Sequence, residues 1–92
     1  MSKANADDAA AHEWVKRSLR SEMVMHGVTY AELSARLTRV GVVEEEVALR
    51  NRVSRGAFSA AFYFQCLAVI GTKTVYVELL DYIENQKSSK KN

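Results

Sequence analysis

Proline is absent from this 92-residue chain, glycine occurs four times, and cysteine and tryptophan once each. Without proline and with so little glycine, the chain has few of the residues that turn-rich sheets need at their bends, so helices are favoured. The lone Cys66 makes no internal disulfide and suits a reducing compartment. No stretch approaches the ~20 apolar residues of a membrane span. The opening Met1-Ser2-Lys3-Ala4-Asn5-Ala6-Asp7-Asp8 has no apolar centre of a signal peptide, and a cytoplasmic protein is expected. Net charge is also small: 13 lysines and arginines against 11 carboxylates leave +2. The molecule is therefore no polycation, and any attraction to nucleic acid has to come from a local patch. Missing as well are a glycine-rich phosphate loop, a Ser/His/Asp order and an activated-cysteine context, so no enzyme is expected. His12 and His26 sit at opposite ends of one predicted helix without matching cysteines or carboxylates, so neither a metal site nor another cofactor is expected.

What the chain does have is apolar periodicity cut by its four glycines. At 48% hydrophobic and 26% charged it has the make-up of one globular domain. The spacing predicts an all-α, compact bundle of about five helices, near residues 8–26, 30–40, 45–55, 59–70 and 74–86, with tails at 1–7 and 87–92 expected to be disordered. Ala11, Val15, Leu19 and Met23 form an i, i+4 stripe behind a cap at Asp7 or Asp8, and Gly27 stops that helix. Thr29-Tyr30-Ala31-Glu32 is a capping box, opening a helix that turns Tyr30, Leu33, Leu37 and Val40 inward as far as Gly41. Glu44, Glu45 and Glu46 fit the first turn of the next helix, whose free amides favour carboxylates. That helix carries Val47, Leu49 and Val53 to Gly56. A cap at Ser59 opens a fourth helix in which Gln65 is the only polar side chain between Ala60 and Ile70. Residues 74–79 alternate like a strand, yet Val75, Leu79 and Ile83 keep helical spacing and no second strand is at hand, so a helix is expected there.

The feature that carries chemistry is Leu49-Arg50-Asn51-Arg52-Val53-Ser54-Arg55-Gly56: three arginines and an asparagine without a carboxylate, behind a glycine-closed helix. Together with Thr29-Tyr30-Ala31-Glu32-Leu33-Ser34-Ala35-Arg36-Leu37, it resembles the phage-repressor and Cro-like helix-turn-helix family. Phe58-Ser59 and Leu67-Ala68-Val69-Ile70-Gly71 are similar to that family's fourth helix, and the likeness covers about residues 15–71. The layout is also similar to a small uncharacterised bacterial family. The resemblance implies a lambda-repressor-like fold and a small transcriptional regulator that binds double-stranded DNA in a sequence-specific way, with residues 45–55 as recognition helix. In that reading Ala48, Arg50 and Asn51 meet base edges, since arginine bonds guanine and asparagine adenine in two places. Thr29, Tyr30, Arg52 and Arg55 meet phosphates. Two features depart from the family pattern: the longer run from Gly41 to Gly56, and Glu44–Glu46, which would repel phosphates.

A homodimer is expected through the fourth and fifth helices, using Phe64, Val75, Tyr76, Leu79, Tyr82 and Ile83, because a helix with one polar side chain needs cover. The alternative function is a helical interaction module, an antitoxin or adaptor, on the same fold without DNA binding. The charge map separates the two. DNA is favoured if Arg50, Arg52 and Arg55 join Lys16, Arg17 or Arg20 in one basic face, and disfavoured if the glutamates break it.

Overall fold

The computed structural model describes residues 6–91, with side-chain surroundings for residues 8–85. Five α-helices and no strand are found among the described residues: α1 (Ala6–His26), α2 (Tyr30–Arg39), α3 (Glu46–Arg55), α4 (Ala60–Ile70) and α5 (Leu79–Lys91). The protein is an all-α bundle, and no single helix among the described residues is long and apolar enough to cross a membrane.

Local chemistry accounts for the helix ends. Helices α1, α3 and α4 run directly into Gly27, Gly56 and Gly71, and α2 into Val40 and then Gly41; the four glycines have φ between 66° and 107°, a region closed to most side chains. The Thr29 hydroxyl accepts from the Glu32 amide at 3.1 Å while the Glu32 carboxylate accepts from the Thr29 amide at 3.3 Å, so the capping box is complete. Ser59 accepts from the Phe62 amide at 3.0 Å and caps α4. The start of α1 differs from expectation. It begins at Ala6, so Asp7 and Asp8 lie inside its first turn and not ahead of it, and residues 1–5 of the expected tail 1–7 lie outside the described residues.

One core gathers a few residues from each of the first four helices: Leu19 and Met23, Leu33 and Leu37, Leu49 and Val53, then Phe62, Tyr63, Cys66, Leu67 and Ile70. Helix α1 is the common neighbour, packing against α3, α4 and α5. Its approach to α3 is close enough that a Cβ on Gly56 would stand 2.6 Å from the His12 carbonyl oxygen. Ser18 and the Tyr63 hydroxyl share a hydrogen bond of 2.7 Å between α1 and α4. The Arg36 guanidinium donates to the Val69 carbonyl at 3.0 Å and so binds α2 to the C-terminal end of α4, where carbonyls lack helical partners.

Three expectations about inward faces are corrected. Val40 and Val47 are 61% and 69% exposed: Val40 is the C-cap residue beyond the last turn of α2, and Val47 lies on the side of α3 opposite buried Leu49 and Val53. Helix α4 needs less cover than its composition implied: apart from Phe64, its exposed positions are Ala60, Ala61, Gln65 and Ala68, and alanine costs little in water. The fifth helix starts at Leu79, not at 74, and continues to Lys91 through the segment read as a basic tail. Thr74, Val75 and Val77 lose side-chain freedom in a helix, and Val75 instead packs against the core from an irregular connection. Beyond Leu80, lysine, glutamate and glutamine are good helix formers with no glycine to stop them.

Candidate nucleic-acid interface

Burial of Leu49 and Val53 sets the rotation of α3. The opposite side presents Val47, Ala48, Asn51, Ser54 and Arg55 to solvent. Arg50 lies on one flank, its guanidinium 4.8 Å from the centre of the Tyr30 ring and 2.8 Å from the Glu46 carboxylate. Arg52 lies on the other, 4.6 Å over the Phe62 ring and 2.7 Å from Glu44.

Between the end of α1, the start of α2 and the Arg50 flank of α3 runs an open cleft of about 700 Å³. Arg20, Thr29, Tyr30, Arg50, Asn51 and Ser54 supply its polar wall, with Glu46 the one carboxylate and Met23, Val24 and Val28 its apolar floor. The Tyr30 hydroxyl accepts a long hydrogen bond, 3.4 Å, from the Arg20 guanidinium. The capped amide end of α2 opens beside the same space, which favours an anion there.

The charges divide into occupied and open cations. Lys16 and Arg17 both pair with Glu13, at 3.1 and 2.9 Å. Hydrogen bonds from Arg17 first, then Lys16, hold that carboxyl below its ordinary 4.5. Arg17 also faces the Tyr82 ring at 5.9 Å, on the α5 side of α1. Arg20, Arg39, Arg55 and Lys73 have no carboxylate within ion-pair distance among the described residues. The fully buried Cys66 thiol is pushed up to about 12, chiefly by burial, with Arg52 opposing and Glu44 adding. It is therefore neutral at ordinary pH and unsuited to nucleophilic work. No group of three metal-ligating side chains occurs among the described residues.

Of the residues singled out by sequence, Thr29, Tyr30, Arg50 and Asn51 are brought together in the cleft. Ala48 and Arg55 are exposed on α3 but outside it. Arg52 is turned toward Phe62 and Glu44 at the α3–α4 junction and does not line the cleft. Ser54 was missed, and Arg20, named from sequence only for a shared basic face, enters the cleft beside Tyr30. Arg20 is ten positions from Tyr30 across a helix end, a separation that no periodicity links. The expected dimer residues also divide: Phe64 and Tyr76 are 59% and 79% exposed, whereas Val75, Leu79, Tyr82 and Ile83 are half-buried.

The arrangement defines a small all-α protein with an arginine- and asparagine-bearing cleft at the start of a capped helix. The chain belongs to the DUF6471 family, a domain of unknown function, which matches residues 11–75. That span takes in most of α1, all of α2 to α4 and the first residues beyond them. No curated protein and no solved structure matches the chain.

Proposed function

We propose that this protein binds double-stranded DNA as a small helix-turn-helix regulator, with α3 entering the major groove. One observation carries the reading: the Arg50 flank of α3 and the amide end of α2 share a single cleft that Arg20, Thr29, Tyr30, Arg50, Asn51 and Ser54 make polar. Phosphate-positioning groups and base-reading groups need this juxtaposition. Arg50 and Asn51 read bases, with Ala48 beside them. Thr29, Tyr30, Arg20 and Arg55 hold phosphates. The Glu46–Arg50 pair is no strong obstacle, since an exposed i, i+4 ion pair is worth only ~0.3–0.5 kcal/mol and a phosphate can replace the carboxylate.

The interaction-module reading draws on the same carboxylates, because Glu44 and Glu46 each occupy an arginine of α3. Retention of the full chain on nonspecific duplex DNA decides. Binding that weakens steeply as salt rises supports the DNA reading, through release of counterions from phosphates. No retention even at low salt ends it in favour of the interaction module.

A further inference from the structure

Residues 72–78, Thr-Lys-Thr-Val-Tyr-Val-Glu, have the composition of a strand and no strand to pair with. Their β-branched and aromatic side chains suit a pleated surface. Thr72 is anchored at both ends of its own residue: its amide donates to the Leu67 carbonyl at 3.0 Å, and its hydroxyl to Glu22 at 2.8 Å. From Lys73 to Val77, by contrast, no main-chain group is hydrogen-bonded among the described residues. Such a row of free N–H and C=O groups is a template for another strand. Within or next to it are four of the nine large apolar side chains that the described residues leave exposed, Phe64, Tyr76, Val77 and Leu80, each 59–79% exposed. Phe64 and Val77 also line a hollow of about 370 Å³ together with Trp14, Leu67 and Val75, whereas Tyr76 stands over a separate cleft with Arg17 and Tyr82. Free main-chain groups and exposed apolar side chains therefore belong to one short segment, which a two-fold interface uses from both copies.

We infer that residues 74–78 pair antiparallel with the same residues of a second copy, forming a two-stranded ribbon that joins two protomers. A two-fold axis perpendicular to such a ribbon pairs only residues that share a face. Centring it on Tyr76 sets Tyr76 against Tyr76, Val75 against Val77, and Thr74 against Glu78. Each pair matches aromatic with aromatic, aliphatic with aliphatic and hydroxyl with carboxylate, and no like charges meet. The valines then form one apolar side beside the hollow, and Thr74, Tyr76 and Glu78 the other side. This identifies a second copy, not an unrelated peptide, as the occupant. It does not rest on the DNA reading.

The full chain is tested by sedimentation across the micromolar range, with circular dichroism to verify that each variant stays helical. A dimer of the 10.3 kDa chain is expected, reduced to monomer by Val77→Asp. Under mild oxidation Tyr76→Cys should cross-link rapidly, because residue 76 faces its own copy at roughly 5 Å between Cβ atoms. Thr74→Cys should not, since its two copies stand about 13 Å apart along the strands. The solvent-exposed position of Tyr76 makes that variant safe for the fold, and buried Cys66 does not compete. Monomer alone at every concentration, a helical Val77→Asp that remains dimeric, or cross-linking of Thr74→Cys as fast as Tyr76→Cys would each overturn the inference.

Discussion

The Glu44 carboxylate stands 2.7 Å from the Arg52 guanidinium, and that guanidinium sits over Phe62, 4.6 Å from the ring centre. Glu44 is also held by its main chain, whose carbonyl accepts from the Ser34 hydroxyl. Helices α2, α3 and α4 are thus tied to one another through the connection at residues 42–45. Glu46, two positions on, makes an exposed pair within its own helix. Two neighbouring carboxylates therefore do unlike things: one fixes the angle of α3, the other only shields its charge.

Their substitution should separate these roles. Glu44→Gln leaves Arg52 half-buried without its counter-charge. It should cost about 1–2 kcal/mol, between the values for exposed and buried pairs. Glu46→Gln should cost no more than ~0.5 kcal/mol. Urea unfolding of the two variants measures the difference, and equal losses would show that Glu44 has no special place.

On DNA the expected order is reversed. Glu46→Gln removes the one carboxylate of the cleft, so retention on duplex DNA should rise. Arg55→Ala should weaken binding to all sequences alike and lower the salt slope by about one unit. Arg50→Ala should cost ~1–3 kcal/mol on a preferred site and relax preference at one base. Arg52→Ala should show its loss in stability first, with no matching fall in the salt slope.

Glycine is required at two helix ends to different degrees. Gly56 combines a φ of +68° with the His12 carbonyl 2.6 Å from where a Cβ would be. Gly41, at φ +90°, has nothing within 4 Å of that point. Gly41→Ala should therefore cost only the backbone strain of ~1–2 kcal/mol. Gly56→Ala should cost about 2–4 kcal/mol, because α1 must also move away from α3. Thermal melts of the two variants, compared side by side, check this.

Alkaline pH should expose the state of Cys66. Its folded thiol ionises near 12, above the ordinary 9.0, chiefly because burial penalises the thiolate. The unfolded chain then releases this proton first, so it binds fewer protons than the folded one between those values. Stability from this group is complete below about pH 9 and falls as pH rises toward 12, by up to ~1.4 kcal/mol per pH unit. Cys66→Ala should flatten that part of the pH profile in urea unfolding, whatever its cost at neutral pH. An unchanged alkaline slope would assign the loss to other groups.

Much of the fold was legible because it is written locally. Gly27, Gly41, Gly56 and Gly71 mark helix ends by conformation alone, and the Thr29–Glu32 box needs only four residues to specify itself. The leucines at 19, 33, 37 and 49 keep helical spacing and are fully buried. The segment 74–78 was misread because Val75, Leu79 and Ile83 satisfy the helical period, while the preference of threonine and valine for other conformations acts on the same residues in the opposite direction. Half of the cleft was legible for a similar reason, since Thr29 and Tyr30 belong to a local signal. Arg20 enters it from another helix, and the turning of Arg52 toward Phe62 depends on a contact ten positions away. Neither has any trace in periodicity.

Because α1 touches α3, α4 and α5, order of synthesis matters for this chain. The stripe of Leu19 and Met23 is made well before Phe62, Leu67 and Ile70, which share its core. At roughly 5–20 residues per second, several seconds pass in which the first helix exists without the fourth. During that interval α2 and α3 can close on each other and on part of α1. The ribosome-bound chain therefore leaves the α4-facing side of α1 open to solvent and to chaperones until the fourth helix has been made.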